Sequence, residues 1–465
     1  MEISIYDCVS PLDFRYYGQD EKLRELLAPY VSERGRLRAM LAVEVAVARV
    51  LARRGLCPPE AAEEIAAAAE NVSPEEVAQE EDRIHHDVRA MVNVLRRYVS
   101  EKARPYVHFT LTSYDVVDTA RAWLFRSAAH DVIIPELKQL EQVLIDLALR
   151  EKDTLQIGRT HGQHAVPITF GFAIAQYVNR LGDRIEAIAA AADRLPGKVS
   201  GAVGAYNASS LFFDDPVAFE REVLQELGLP PAIASTQIVP PEPTADFIHA
   251  LISTFGVLAN LADDMRHLQR TEIAEVGEEF KAEQVGSSTM PHKRNPWNFE
   301  NVKSFWKAFA PRMMTVYMDQ ISEHQRDLTN SATQRFLPEI IVGLVSTVRR
   351  LRRVMSRLVT DDVKMRQNLE MTRGLIAAEP AYLLLAAHGH PDAHERVRQL
   401  TLEAEATGRP LGELLAEAED LRPYWEKFTD AQRDIIIHPD RYTGIASAKA
   451  QRVCEYWRER LGLIP

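Results

Sequence analysis

The residues best suited to chemistry lie at positions 286–296, which combine two serine hydroxyls, a methionine thioether and three basic side chains. Gly286 and the serines give the backbone freedom, whereas Pro291 and Pro296 restrict the far side. Lys293 supplies a positive charge that can stabilise an anion. We therefore predict a lid that closes over an anionic substrate. A polar connection between helices is the alternative, and a phosphate-binding loop is disfavoured because the Gly-x-x-x-x-Gly-Lys-Ser/Thr spacing is missing.

A second candidate for acid-base chemistry is the segment 158–167, which carries two histidines directly before a long helical pattern and is predicted to be a loop. Imidazole titrates near neutrality, so His161 can hand a proton to a leaving nitrogen. A structural histidine is the common alternative. His161 and His164 are three residues apart, but no Asp or Glu accompanies them as in His-Glu-x-x-His, so we predict no metal site.

A third candidate is the segment 107–115, where Thr112, Ser113 and Asp115 stand at the start of another long helical pattern. Their side chains can simply cap that helix. Hydroxyls beside the free N–H groups of a helix start also make a carboxylate site, so capping and ligand binding are compatible.

The composition limits the possible functions. The chain has 465 residues, 46% hydrophobic and 26% charged, which is ordinary for a globular protein of two or three domains. A net charge of −12 argues against a nucleic-acid or membrane-surface binder, because such proteins need a basic face. Three scattered cysteines, Cys8, Cys57 and Cys454, fit a reducing compartment. Because the start lacks an apolar signal core, we expect a cytoplasmic protein that spans no membrane.

Hydrophobic residues recur at helical spacing almost everywhere, as at Leu37, Met40, Val43 and Val47. We predict an all-α fold with at most a short hairpin, because strand patterns closed by Asn-Gly or Asp-Gly are missing. The apolar faces of long helices also predict a homo-oligomer. Long helical patterns cover residues 114–152, 170–195, 244–275 and 298–322. Pattern breaks predict three helical domains, at residues 1–106, 107–359 and 360–465.

The three blocks occur in the order 107–115, 158–167 and 286–296, each beside a long helix, and they resemble the signature of the fumarase/aspartase superfamily. The resemblance implies an all-α fold around a central bundle of long helices. It also implies elimination of fumarate, or a related acid, from a succinyl adduct. No metal or organic cofactor is implied, and the active sites would be shared among three subunits of a homotetramer.

Within the superfamily the chain is most similar to the branch whose substrate is a small nucleotide. Residues 10–16 read Ser-Pro-Leu-Asp-Phe-Arg-Tyr, and residues 325–335 carry the spaced Arg, Ser and Arg of that branch. Guanidinium groups bind phosphate oxygens in pairs, and a hydroxyl fills a remaining acceptor site. The resemblance assigns the phosphate to Arg15, Tyr16, Arg326, Ser331 and Arg335.

Further substrate contacts follow from motifs that match the same branch. The resemblance assigns them to His86 and Asp87 in a His-Asp-Val element, to His108, Thr112 and Ser113, to Gln237 in a Ser-Thr-Gln element, and to Ser288, Met290 and Asn295.

The resemblance also implies the catalytic roles. Elimination removes a proton from the carbon next to a carboxylate and then expels a nitrogen. Ser287 is the implied general base, although Ser288 stands beside it and the sequence does not rank the two. His161 is the implied general acid. Lys293 would stabilise the doubly charged carboxylate intermediate, and Glu300 would pair with the histidine network.

One segment departs from that branch. After Gln237 the chain reads Ile-Val-Pro-Pro-Glu-Pro, where many members of the branch carry an Arg-Asp pair. A proline-rich turn cannot supply that pair, so we assign no binding residue at positions 239–243.

Three alternatives compete with this interpretation. A carboxymuconate cycloisomerase has no nucleotide to hold, so Arg326, Ser331 and Arg335 disfavour it. Argininosuccinate lyase fits the His-Lys-Arg-Asn-Pro end of the third block less well. A catalytically silent helical protein is disfavoured because both His161 and Ser287 are present.

Overall fold

The computed structural model describes residues 4–279, 289–290, 292–326, 329–372 and 374–464. Helices account for most of these residues, and the prediction of an all-α fold is confirmed. The helices described are α1 (Glu21–Val31), α2 (Glu33–Arg53), α3 (Pro59–Ala69), α4 (Pro74–Ile84), α5 (Asp87–Arg97), α6 (Ser113–Ala128), α7 (Ile134–Arg150), α8 (Phe170–Asp193), α9 (Pro216–Glu226), α10 (Glu242–Leu268), α11 (Trp297–Phe309), α12 (Arg312–Met318), α13 (Ser331–Arg335), α14 (Leu337–Met355), α15 (Asp362–Glu370), α16 (Ala378–Ala387), α17 (Ala393–Thr407), α18 (Leu411–Glu417), α19 (Arg422–Trp425), α20 (Asp430–Ile437) and α21 (Ala446–Arg460).

Two short antiparallel strand pairs accompany the helices over the described residues. β1 (Leu155–Thr160) pairs with β2 (Gln163–Thr169), and β3 (Val276–Gly277) pairs with β4 (Val359–Thr360). The prediction that residues 158–167 form a loop is wrong, because they belong to the β1–β2 hairpin. Two central residues separate the register pair Thr160 and Gln163. Such a two-residue connection matches the twist of paired strands when both of its residues have positive φ.

Three of the four predicted long helices match the structure closely. The segment predicted at 114–152 is helical from α6 through a π-helical turn, Ala129–Ile133, into α7. The segment at 170–195 corresponds to α8, and the segment at 244–275 corresponds to α10, which ends earlier than predicted, at Leu268.

The fourth predicted long helix, at 298–322, is wrong in its length. α11 ends at Phe309, and α12 begins at Arg312 after Pro311. Proline has no N–H to donate and its ring clashes with the preceding turn, so the helix ends before it. Residues 320–322 lie beyond the end of α12.

The described residues group into two compact units, each drawn from three separate segments. The first unit comprises 1–138, 183–258 and 302–350, and the second comprises 139–182, 259–301 and 351–465. Helices α7, α8, α10, α11 and α14 contribute residues to both units. The division into three consecutive domains stays a prediction.

Helix α2 illustrates how the sequence builds the first unit. The Ser32 hydroxyl accepts a hydrogen bond from the Gly35 N–H at 3.1 Å and caps the helix start. The apolar residues at three- and four-residue steps, including Leu37, Met40 and Val47, are buried. Removing such a stripe from water supplies most of a helix's stability in a protein.

The second unit contains its own apolar cluster near the C-terminal end of the chain. Leu385, Leu400, Leu415 and Ile436, from α16, α17, α18 and α20, are buried together. Short helices, of seven to fifteen residues, supply these side chains.

Among the described helices only α10 is long and apolar enough to cross a membrane. In its most apolar window 61% of the residues are buried inside the protein. That burial is the pattern of a core helix.

Candidate active site

A cavity of about 590 Å³ lies entirely within the first unit. Its wall is formed by the α4–α5 junction, the start of α6, the turn before α10, and the segment around α13. The cavity brings together seven residues that the sequence predicts to bind substrate: His86, Asp87, Ser113, Gln237, Arg326, Ser331 and Arg335. A cavity of this size suits a nucleotide-sized ligand.

The α4–α5 junction places two histidines at the cavity. His85 ends α4 in the left-handed region, with a φ of 57°. This turn puts His86 at the N-cap of α5, where its Nδ1 accepts the Arg89 N–H at 3.3 Å. Because Nδ1 accepts, the neutral ring carries its proton on Nε2, which is then a donor for a ligand.

The start of α6 is held by one buried carboxylate. Asp115 Oδ2 accepts the Thr112 N–H at 2.8 Å, so it closes the helix start from within the first turn. Its Oδ1 accepts the N–H groups of Ser200 and Gly201 at 3.1 and 3.2 Å, and it pairs with the Lys198 ammonium. Asp115 and Lys198 are both fully buried. Ser113 at the cavity therefore stands on a fixed support.

The wall around α13 is organised by Asp319. Its carbonyl accepts hydrogen bonds from Arg326 at 3.2 Å and from the Asn330 amide at 2.7 Å. The Thr333 hydroxyl lies 2.8 Å from Asp319 Oδ2. Burial raises the pKa of the Asp319 carboxyl, although the Thr333 hydrogen bond and the charge of Arg326 act in the opposite direction. Arg326 has a φ of 92°, a strained backbone that holds its side chain at the cavity.

Sequence reasoning missed two arginines that line the cavity. Arg36 pairs with Glu33 at 2.9 Å and with Asp87 at 3.2 Å, so acids of the same wall offset its charge. Arg121 pairs with Asp118 at 2.8 Å. The spacing of Asp118 and Arg121 on one helix face was the available signal, but such pairs are usually found on solvated surfaces.

Four predicted binding residues of the first unit lie outside the lining of this cavity. Arg15 is exposed, and the Tyr16 ring packs edge-on against Phe305 with a centroid distance of 4.5 Å. Thr112 is the N-cap of α6. The ligand roles of these residues, and that of His108, stay predictions.

His108 is held by a buried acid. Its Nδ1 lies 2.7 Å from Glu44 Oε1, and its backbone N–H donates to Glu44 Oε2 at 2.8 Å. Burial lowers the pKa of the His108 imidazole, but the hydrogen bond and the charge of Glu44 outweigh it and raise the pKa overall. The φ of His108 is 61°, so the carboxylate also fixes an unusual backbone conformation.

In the second unit, His161 occupies the tip of the β1–β2 hairpin. His161 and Gly162 have φ values of 55° and 74°, which a type I′ turn requires of both central residues. His161 is exposed at this tip. On β2, burial and the positive charge of Arg159 lower the pKa of His164, so that ring is biased toward its neutral form.

The hairpin is anchored by Glu275, which sequence reasoning also missed. Glu275 is fully buried and accepts hydrogen bonds from Arg159 at 2.5 and 3.1 Å. The amides of Gln156 and Asn368 each donate to it at 2.8 Å. These contacts tie β1 to α15 and fix the base of the strand that carries His161.

The predicted lid is only partly described. Ser287 and Ser288 lie outside the described residues. Lys293 is exposed, and its backbone N–H donates to the Met290 carbonyl at 3.0 Å. Glu300 is exposed in the first turn of α11, where a carboxylate favours the positive end of the helix dipole.

Asn295 is half-buried just before the same helix. The described residues contain no group of three or more His, Cys, Asp or Glu placed to hold a metal ion.

Two family profiles match the chain. One, described as lyase, matches residues 14–307, and one described as adenylosuccinate lyase C-terminal matches residues 322–430. An adenylosuccinate lyase from Pyrococcus horikoshii is 37% identical over 458 residues, which are 97% of this chain and 98% of that protein. One from Archaeoglobus fulgidus is 35% identical over 457 residues, covering 97% and 99% of the two chains.

Solved structures share the same fold. A 3-carboxy-cis,cis-muconate lactonizing enzyme from Pseudomonas putida matches with a TM-score of 0.82 and 27% identity, covering 97% of this chain and 100% of that chain. A fumarate lyase from Mesorhizobium sp. BNC1 matches with a TM-score of 0.79 and 26% identity, covering 94% and 98%. Both proteins match nearly the whole chain, and their similarity agrees with the superfamily fold expected from the three blocks.

Proposed function

The chain belongs to the adenylosuccinate lyase family, and we propose that it cleaves adenylosuccinate into AMP and fumarate. We propose the succinylcarboxamide ribotide of purine synthesis as a second substrate, which would release its carboxamide and the same fumarate. Each reaction breaks one carbon–nitrogen bond, so the chain is a carbon–nitrogen lyase that needs no external oxidant or reductant.

The observation that carries this proposal is the cavity in the first unit. It combines the guanidinium groups of Arg326 and Arg335 with the hydroxyls of Ser331 and Ser113 and the amide of Gln237. Guanidinium groups and hydroxyls suit a phosphate, and the start of α6 suits a carboxylate. A substrate with a phosphate at one end and a succinyl group at the other fits these two chemistries together.

The acid-base roles rest on family resemblance and on the position of one residue. Ser287 would remove the proton from the carbon beside a carboxylate, and Lys293 and Asn295 would stabilise the resulting carboxylate intermediate. The carbon–nitrogen bond then breaks, and the electron pair goes to the nitrogen. His161 would protonate that nitrogen, a role that its exposed place at the hairpin tip supports.

We also propose a cytoplasmic homotetramer that completes its active sites by sharing residues among subunits. Exposed apolar side chains around α12, including Met314, Met318 and Ile321, give association an apolar driving force. We propose no metal or organic cofactor, because the elimination requires only proton transfer and charge stabilisation.

The test follows the ultraviolet absorbance of adenylosuccinate with the wild type and four alanine variants. We expect His161→Ala and Ser287→Ala each to lower kcat by about 10²- to 10⁴-fold, as loss of a general acid or base does. His164→Ala, on the same hairpin as His161, is the matched control and should keep most of the activity, whereas Ser288→Ala tests whether the neighbouring serine is the base.

Two results would overturn parts of this proposal. A wild-type protein that leaves adenylosuccinate intact would refute the substrate assignment, and carboxymuconate would be tested next because of the similarity to the lactonizing enzyme. If Ser288→Ala loses activity and Ser287→Ala keeps it, the role of general base is assigned to Ser288 instead.

A further inference from the structure

Arg121 is a cavity residue to which neither the motifs nor the proposed mechanism gives a role. It lies on α6, two turns after Ser113, and its side chain is only 15% exposed. Arginine is rarely buried unless it is paired or binds a ligand. The contacts of this side chain therefore define what it can do.

One side of the Arg121 guanidinium is fixed by Asp118. The Nη2 group donates to Asp118 Oδ1 at 2.8 Å, and the carboxylate is 1% exposed. Asp118 Oδ2 accepts the Val239 N–H at 3.0 Å. One buried carboxylate thus connects Arg121 to the turn that precedes α10.

That turn is the segment in which the chain departs from its branch of the superfamily. Residues 240–243 read Pro-Pro-Glu-Pro, where an Arg-Asp pair was expected from the resemblance. Arg121 and Asp118 are an arginine and an aspartate at the same turn, supplied from α6 instead. The cavity therefore keeps a guanidinium group on a buried acid beside this turn although the turn itself has none.

The other side of Arg121 meets the α13 wall. Its Nη1 donates to the side-chain carbonyl of Gln334, which lies between Ser331 and Arg335 on α13. These two bonds use two of the five N–H donors of a guanidinium. Arg121 lines the same cavity as Arg326 and Arg335, so its other N–H donors belong to the wall of that cavity.

We propose that Arg121 binds the phosphate of the substrate, together with Arg326, Ser331 and Arg335. The inference rests on the proposed function for the identity of the substrate, but only on the cavity for the presence of an anion. A held, planar guanidinium offers paired N–H groups to phosphate oxygens and loses little freedom on binding. Arg121 is therefore a substrate-binding residue in addition to those that the motifs predict.

The experiment compares ligands that differ only in the phosphate. Calorimetry measures the Kd of AMP and of adenosine for the wild type, Arg121→Met and Arg121→Lys. We expect Arg121→Met to weaken AMP binding at least tenfold, which corresponds to about 1.4 kcal/mol, and to change adenosine binding less than about twofold. Arg121→Lys keeps the positive charge but lacks the planar guanidinium group. Its Kd for AMP should therefore lie between those of the wild type and Arg121→Met.

Two further variants separate ligand binding from support of the wall. Arg126→Met removes an arginine of the same helix that pairs with Asp193 at 3.3 Å, and it should leave AMP binding unchanged. Gln334→Ala removes the contact of Arg121 with α13. If Arg121 acted only by holding Gln334, this variant would reproduce the loss seen in Arg121→Met, and the proposal would be wrong.

The outcomes also distinguish this inference from the proposed function. Equal weakening of AMP and adenosine in Arg121→Met would refute a phosphate contact, whatever the enzyme's activity. If Arg121→Met weakens the binding of AMP but not of adenosine, and the wild type does not cleave adenylosuccinate, the phosphate contact is supported and the proposed reaction is refuted.

Discussion

Buried carboxylates lie beneath candidate site residues in both units, and two of them, Asp115 and Glu275, are satisfied differently. In the first unit Asp115 holds backbone N–H groups and the buried Lys198. In the second unit the Glu275 carboxylate accepts hydrogen bonds from the side chains of Gln156, Arg159 and Asn368. The first supports the wall of a cavity, and the second supports an exposed hairpin tip.

The two carboxylates support different parts of the candidate site, the predicted binding residues of the first unit and the proposed acid of the second. Backbone donors cannot rotate away, so the support under Ser113 is rigid and belongs to the folded core. Of the side-chain donors to Glu275, the partly exposed Arg159 can exchange the carboxylate for water, whereas Gln156 and Asn368 are buried. Seven of the predicted binding residues thus line a cavity of the first unit, whereas the proposed acid His161 stands on a hairpin whose carboxylate support is held by side chains.

The largest expected effect is on stability and comes from Asp115→Asn. The substitution keeps the shape but removes the charge opposite an ammonium that is fully buried. Removing one partner of a buried ion pair costs about 3–5 kcal/mol of the free energy of unfolding. Urea unfolding followed by circular dichroism measures this loss.

Glu275→Gln is the matched change in the second unit and should cost less, about 1–3 kcal/mol. The Arg159 side chain is 18% exposed, so it can turn toward water when its partner loses charge. Equal losses in the two variants would show that the kind of donor does not matter, and the comparison would fail.

An intermediate effect is expected on catalysis from Glu275→Gln. If the carboxylate fixes the strand that carries His161, kcat for adenylosuccinate should fall about tenfold with little change in KM, because a misplaced acid slows the chemical step. Steady-state kinetics provide the readout. Asn368→Ala removes one donor to Glu275 but keeps the Arg159 contact, and a comparable fall in that variant would argue for general loosening instead.

The smallest expected effect concerns His108, whose protonation state changes its pairing with the buried carboxylate of Glu44. The pKa of His108 is raised in the folded state, so its protonation stabilises the fold below the unfolded pKa of about 6.5. That contribution is lost as the pH rises through the folded pKa. Its size should be about 1.5 kcal/mol, the lower end of the range for a hydrogen bond to a charged group.

The measurement is the difference in unfolding free energy between the wild type and His108→Asn, at pH values from 5.5 to 9. Asparagine tolerates the positive φ of this position. The difference should be largest at low pH. When His108→Asn is made in the Glu44→Gln variant and compared with that variant alone, the difference should not depend on pH in this way. A pH dependence that persists would assign it to another group.

The helical fold was predictable because hydrophobic residues repeat at helical spacing over long segments. The ends of the helices were harder to predict. The hairpin was missed because its turn reads His-Gly, whereas Asn-Gly and Asp-Gly are the strong hairpin signals. The break at Pro311 could have been read from the sequence, since proline seldom lies inside a helix.

The candidate site likewise contains residues that local sequence patterns predict and residues that they do not. Motifs predicted residues such as Gln237 and Arg335, which the fold brings to one cavity from distant positions. Arg121 and Glu275 carry no motif, and their importance comes from burial and from partners far along the chain. Such long-range partners are set by tertiary packing, which local sequence patterns do not contain.

The order in which the cavity residues occur along the chain has a consequence for synthesis. The lining begins near Tyr30 and is complete only at Pro338, about three quarters of the way along the chain. Because chains emerge from the ribosome at roughly 5–20 residues per second, the acidic Glu33, Glu81 and Asp87 emerge many seconds before Arg326 and Arg335. A nascent chain therefore has no complete pocket for the nucleotide, and the ligand can favour folding only after nearly all of the first unit has been made.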